Sequence, residues 1–271
     1  MPTWLLCCIW LLIIALFLLL FVWIFFSNTH YTSKILHPGE VYHMQNRTYT
    51  FPNVECHGTP YQLRDSFIAN LRKLLFQTSG LLNRLSIPWW LTGGSLIGAV
   101  KFAAIPMPFD DDVDMGVDDD KYRTFLFSND FVKKANEDGL EVLYFQKASS
   151  KWAERTGACV RLQLPQCPCT LDIFFWKQIN DKVIKLDGWS GESNVVHNAK
   201  EQFDRNDVYP LKTDVQIDDM RVNLVHHPSN VLIQQYGNQV MKQVIARSNY
   251  VSHMFVYTIL KKIWVKNKAP G

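Results

Sequence analysis

Residues 91–117 read LTGGSLIGAVKFAAIPMPFDDDVDMGV, a Gly93-Gly94-Ser95 turn followed by four clustered aspartates. Each half suits phosphate. Backbone N–H groups at a glycine-rich helix start approach phosphate closely. Carboxylates hold the divalent ion that phosphate travels with. In a strand, side chains alternate between faces. Val113, Met115 and Val117 then point into a core, while Asp112, Asp114 and Gly116 share the opposite face. Asp110 has the same parity but lies just before the strand, as a secondary ligand. Like charges this close repel unless a cation neutralises them or a pKa rises. A bound Mg²⁺ or Mn²⁺, its octahedron completed by phosphate oxygens, resolves the conflict.

Three competing readings of the acids are testable in the sequence. A solvated acidic turn suits Asp118-Asp119-Asp120, placed to cap the next helix, better than it suits acids alternating with apolar residues. A calcium loop of EF-hand type starting at Asp110 puts Met115 where glycine is required and Lys121 where glutamate is required, so it fails. A sugar-nucleotide glycosyltransferase DxD motif normally follows a longer nucleotide-binding βαβ unit, whereas Asp112 stands only 18 residues after Gly94. The order strand, Gly-Gly-Ser, helix, DxD strand resembles that of nucleotidyltransferases instead. Such folds want a third carboxylate on a neighbouring strand. Asp172, a lone acid in the apolar stretch Thr170–Trp176, is the candidate, against the alternative of an edge-strand acid facing water.

Outward from this stretch, helical spacing of Leu63, Phe67, Leu71, Leu74 and Leu75 predicts a helix that begins at Thr59-Pro60. Strands are expected at 87–92, 112–117, 140–145, 158–164 and 170–176, and helices at 95–102, 229–236 and 238–246. Residues 251–268 are apolar and then basic, suited to docking on the core or to skimming a membrane surface. The pattern is α+β, a mixed sheet with helices around it.

The first 33 residues contain no Asp, Glu, Lys or Arg, and Trp4 to Phe26 is an unbroken run of 23 apolar residues. That length spans a hydrocarbon core of about 30 Å. A cleavable signal peptide has an apolar core of about 7–15 residues, a basic start and a small-residue cleavage site. None of these fits, so a single N-terminal transmembrane signal anchor is expected. Charge around it says little about orientation. The sole glycosylation sequon, Asn46-Arg47-Thr48, points to the secretory lumen. The net charge of +3 comes from scattered Lys and Arg with no basic stripe, which excludes nucleic acid as an expected partner. Of six cysteines, Cys7 and Cys8 lie in the apolar run. Cys56, Cys159, Cys167 and Cys169 lie in the body, where one or two disulfides are expected. A zinc site at Cys56 and His57 lacks a CxxC spacing.

Gly93-Gly94-Ser95-Leu96-Ile97-Gly98-Ala99-Val100-Lys101, then Ile105-Pro106 and Asp110-Asp111-Asp112-Val113-Asp114, resemble the LicD/fukutin family. Leu171-Asp172-Ile173-Phe174 is similar to that family's later acid-on-a-strand motif. Similarity continues in Val208-Tyr209-Pro210-Leu211 and from Pro228 to Gly237. Two departures stand out. Pro106-Met107-Pro108-Phe109 replaces a Pro-Trp pair, and Phe102 stands where a His is common. Both leave the acids intact and bear on donor choice.

The resemblance implies a nucleotidyltransferase-like fold that moves a phospho-alcohol, ribitol phosphate or phosphocholine, from a CDP-activated donor to a glycan hydroxyl on protein or lipid. Asp112 and Asp114 hold the metal under this reading, and Asp172 either completes the site or accepts the proton of the attacking hydroxyl. The amides of Gly93, Gly94 and Ser95 bind phosphate, and Lys101 offsets charge on departing CMP, unless it is simply a surface lysine. The expected organisation is a tail (1–3), a transmembrane anchor (4–26), a stem (27–58) and a LicD/fukutin-like catalytic domain (59–271), lumenal in the Golgi or ER membrane. Two other functions fit parts of the pattern: the sugar-nucleotide glycosyltransferase, and a non-catalytic lumenal scaffold of the same fold.

Overall fold

The computed structural model describes residues 31–245 except 38, 52–54, 58–60, 145–158, 166 and 187–200, together with residues 10 and 13–18. Its centre is a mixed sheet of seven strands: β1 (Trp89–Leu91), β2 (Asp112–Asp118), β3 (Glu141–Tyr144), β4 (Cys159–Gln163), β5 (Thr170–Ile179), β6 (Lys182–Lys185) and β7 (Gln202–Asp204). The order runs β7-β6-β5-β2-β1, with β4 also beside β5 and β3 beside β4. Among the described residues of this sheet only the β2–β5 pair is parallel, residue 112 facing 170 and 118 facing 176.

β5 is the spine. Leu171, Ile173, Phe174, Phe175 and Trp176 are all buried, the continuous apolar run of a strand covered on both faces. One edge of β5 pairs with β2; the other pairs first with β4 and then with β6. The expected strands are found within one or two residues of their predicted bounds, and β5 extends to Ile179.

Helix α1 (Asp65–Arg84) buries Phe67, Ile68, Leu71, Leu74, Leu75, Leu81 and Leu82 and packs on β5, β2 and β4. It ends in a Schellman turn. Ser86, at φ 55°, donates to the Asn83 carbonyl, and Ile87 donates to that of Leu82. The helix starts five residues later than predicted, at Asp65 rather than Pro60. Tyr61–Leu63 is instead a strand paired with Tyr31–Ile35, and that non-local pairing overrides the local Thr-Pro signal.

After the turn, α2 (Gly93–Ile97) runs into a wide π-turn, Gly98–Phe102. Helices α3 (Asp119–Leu126) and α4 (Asn129–Glu137) link β2 to β3. Asp118 occupies the N-cap position of α3, though its side chain makes no cap bond; Asp119 and Asp120 lie in the first turn, on the favoured side of the helix dipole. The Ser128 hydroxyl caps α4 by accepting from the Phe131 N–H at 3.3 Å. Helix α5 (Pro228–Tyr236) has its proline in the first turn. The stretch predicted helical beyond it is a short 3₁₀ turn, Asn238–Met241, and then a strand, Gln243–Ile245, paired with Glu55–His57.

Of the 27–58 stretch, expected as a stem, described residues pack into the domain. Leu36, Tyr42, Met44 and Phe51 are core residues, and Phe51 meets Phe102 and Phe109 edge-on or tilted. Val41–Met44 pairs with Arg47–Thr50. Arg47 and the buried Arg72 both grip Asp218 and Asp219 of the Lys212–Leu224 hairpin. Asn46 sits exposed at the tip of its own hairpin, at φ 62°. Among the described residues no helix is long and apolar enough to cross a membrane. The expected anchor at 4–26 lies largely outside them, as does the segment 251–268.

Gly116 marks how tightly the acid-bearing face is packed. A Cβ there would stand 2.5 Å from the Trp90 ring and 2.9 Å from Trp176 Nε1. Both indoles are buried, so neither can swing away. Gly116→Ala is expected to destabilise the fold by about 1–3 kcal/mol, the usual range for overpacking, measured by urea unfolding; an unchanged midpoint would show that the indoles yield freely.

Candidate metal and phosphate site

The parallel register puts Asp172 directly opposite Asp114 and Thr170 opposite Asp112. Paired residues of neighbouring strands share a face, so the acids of β2 and β5 converge. Carboxylate oxygens of Asp112, Asp114 and Asp172 lie within 4.8 Å of one another, and so do those of Asp110, Asp111 and Asp112. Asp172 is only 1% exposed on the central strand, which removes the edge-strand alternative.

Burial, reinforced by the carboxylates of Asp114, Asp110, Asp111 and Asp172, holds the Asp112 carboxyl well above the ordinary range. The folded chain alone therefore resists full ionisation of this cluster. A set of hard oxygen ligands with excess negative charge fits Mg²⁺ or Mn²⁺.

The Gly-Gly-Ser turn is stitched onto Asp114. The Thr92 N–H donates to the Asp114 carbonyl at 3.2 Å, and the Gly94 N–H donates to Asp114 Oδ2 at 3.3 Å. The Asp114 N–H donates to Ser95 Oγ at 2.9 Å. Gly93 adopts φ +55°, and a Cβ on it would collide with Asp114 Oδ2; a Cβ on Gly94 would collide with Asp110 Oδ2. The glycines therefore let two carboxylates lie against the turn. Ser95 is buried as an acceptor for β2, and the Gly94 amide is committed to Asp114 rather than left for phosphate.

Lys101 is placed differently from the expectation. Its ammonium donates to the carbonyls of Val240 and Gln243, tying the π-turn to the C-terminal segment of the domain. Two residues that sequence reasoning passed over join the acids. Asp111 belongs to the second trio. Arg161 of β4 faces Asp172 across the sheet and grips both its oxygens, Nε to Oδ1 at 2.6 Å and Nη2 to Oδ2 at 2.5 Å. Its signal was present: it is a lone cation in an apolar strand, as Asp172 is a lone acid. Cys159, on the same strand, is a free buried thiol, and burial pushes its pKa up. Cys167 and Cys169 form a disulfide just before β5. The side chains of Cys56 and His57, the zinc alternative, lie outside the described residues.

Residues 86–224, just over half of the chain, match the family described as LicD/FKTN/FKRP, nucleotidyltransferase domain. The chain belongs to this family. LicD proteins are phosphotransferases and typically metal-dependent. Among curated relatives, uncharacterized proteins RT0683 of Rickettsia typhi and RP689 of Rickettsia prowazekii are each 37% identical over 57 residues. That stretch is 21% of this chain and 18% and 21% of theirs, so the chain spans about a fifth of their length. Two solved structures are more distant: the lincomycin-bound lincosamide antibiotic adenylyltransferase LnuA and the antibiotic-resistance factor ANT(2'')-Ia. The first is 14% identical, with TM-score 0.38, and covers 63% of this chain and 93% of that one. The second is 10% identical, with TM-score 0.36, and covers 74% and 97%. Likenesses this low carry no argument about chemistry.

The raised Asp112 pKa has a testable sign. Unfolded, an aspartate titrates near 3.9. Between that value and the raised one, the folded state holds the extra proton, so stability falls as pH rises. With a chelator present, the wild-type chain is expected to lose stability as pH climbs from about 4, and Asp112→Asn to flatten that slope. Parallel slopes in urea titrations across this range would contradict it.

Proposed function

We propose that this LicD-family chain transfers a phospho-alcohol, of the ribitol phosphate or phosphocholine kind, from a CDP-activated donor to a glycan hydroxyl. The observation that carries the reading is the convergence of Asp112, Asp114 and Asp172 on one sheet face, with ligand atoms within 4.8 Å. Asp112 and Asp114 are the residues to hold Mg²⁺ or Mn²⁺, with Asp172 third and Asp110 secondary. The ion, when bound, neutralises the donor diphosphate and the charge that develops as CMP departs.

The turn acts by fixing Asp114 through three hydrogen bonds and by holding Asp110 close. Phosphate binding by its remaining amides, at Gly93 and Ser95, is consistent with the glycine-rich start of α2. Positioning and electrostatics supply most of the rate in phosphoryl transfer, so the chain's main task is to hold two substrates and a cation in line. For the cellular setting, the apolar run at 4–26 and the exposed Asn46 sequon support a type II membrane protein, lumenal in the Golgi or ER.

Thermal-shift measurements on the full chain in detergent, with Mn²⁺ and CDP, UDP or GDP conjugates, test the donor class. CDP-selective stabilisation is expected. Selectivity for UDP or GDP would favour a sugar-nucleotide glycosyltransferase, and no metal-dependent shift with any of them would favour a scaffold. Asp112→Ala and Asp114→Ala are each expected to abolish transfer while circular dichroism stays native. Full activity in either variant would contradict the assigned ligands.

A further inference from the structure

Asp172 has two expected roles that compete for the same lone pairs, metal ligand and proton acceptor, and the residue that bears on the choice is Arg161. The guanidinium is 4% exposed and reaches both carboxylate oxygens. Three residues on adjacent strands stand in one row across the sheet, Arg161 opposite Asp172 and Asp172 opposite Asp114. Their backbones are locked in register, so the carboxylate has little freedom to turn. Each oxygen keeps a second lone pair, open to a metal or to a proton alike. A proton would neutralise the carboxylate and leave the buried guanidinium without its counter-charge, which is costly, whereas a metal ligand stays charged and keeps the charge-assisted pair intact.

We propose that Arg161 is a positioning residue, gripping Asp172 so that its carboxylate joins Asp112 and Asp114 as the third metal ligand and is withheld from proton abstraction. The inference rests on the metal site given above and assigns Arg161 a role within it. A two-pronged, planar grip is specific to arginine; lysine supplies the charge through a single point and leaves the carboxylate free to rotate.

Mn²⁺ binding by the full chain in detergent, read by electron paramagnetic resonance with no substrate present, tests it. Arg161→Lys is expected to weaken Mn²⁺ binding about tenfold or more, the usual consequence of removing a partner that orients a ligand. Asp172→Asn should weaken it at least as much. The double variant Asp172→Asn/Arg161→Gln removes both buried charges, so it folds even if Arg161→Lys does not. It should bind within about twofold of Asp172→Asn alone, because Arg161 acts only through Asp172.

Mn²⁺ affinity unchanged in folded Arg161→Lys or in Asp172→Asn would overturn the inference and return Asp172 to the proton-acceptor role, leaving the metal site standing. A further loss in the double variant would also overturn it, showing that Arg161 acts independently of Asp172. Absence of Mn²⁺ binding by the wild-type chain would overturn the metal site together with the inference.

Discussion

Pairing β2 in parallel with β5 forces carboxylates together, and the surrounding structure manages the consequence. Asp114 and Asp172 become neighbours by register, Asp112 joins them by parity, and Asp110 and Asp111 approach from the preceding loop. Left alone, this cluster repels itself. Four devices answer that repulsion. Burial and the neighbouring carboxylates raise the Asp112 pKa well above its ordinary range, which opposes full ionisation of the cluster. Arg161 clamps Asp172. The Gly94 amide donates to Asp114, and glycine at 93 and 94 removes the side chains that would keep the acids away. What is left over is negative charge aimed at one place.

The packing around the site serves the same constraint. β5 can carry a buried acid because its other residues bury Leu171, Ile173, Phe175 and Trp176, and the opposite sheet face is covered where Phe127 and Arg123 meet Phe175. On the acid-bearing face, Trp90 and Trp176 close over Gly116 and leave no room for a side chain. The residues expected to form a stem complete the body instead, since Phe51 packs on Phe102 and Phe109, at the two ends of the loop that leads into the acids. Arg72 links the same regions, pairing with Asp218 and Asp219 while donating to the Ile105 carbonyl.

Much of this was legible in the residues. Alternation of Val113, Met115 and Val117 with the acids predicted both strand and face. The lone acid in Thr170–Trp176 located the partner strand, because a charge in an apolar run needs a reason. The same logic marks Arg161 as a charge in need of a partner, and the register of β4 on β5 identifies that partner as Asp172. Lys101 was misplaced because proximity in sequence does not say where a long side chain points; the Val240 and Gln243 carbonyls that hold it come from the far end of the domain. The 31–63 strands were missed because they are short, rich in polar turns and held by partners distant in the chain. Ser95 was expected to serve through its amide, and its hydroxyl instead accepts from the Asp114 N–H of β2, a role set by tertiary contact alone.

The central claim is that the β2–β5 pairing creates one divalent-cation site at which a CDP donor is held. Anomalous diffraction at the manganese edge, from crystals grown with Mn²⁺ and CDP, tests it most directly. The account predicts a peak about 2.1 Å from carboxylate oxygens of Asp112 and Asp114, with Asp172 completing the protein ligands and the CDP phosphates on the open side. A peak away from these acids, or CDP bound elsewhere with no ion between the strands, would contradict it.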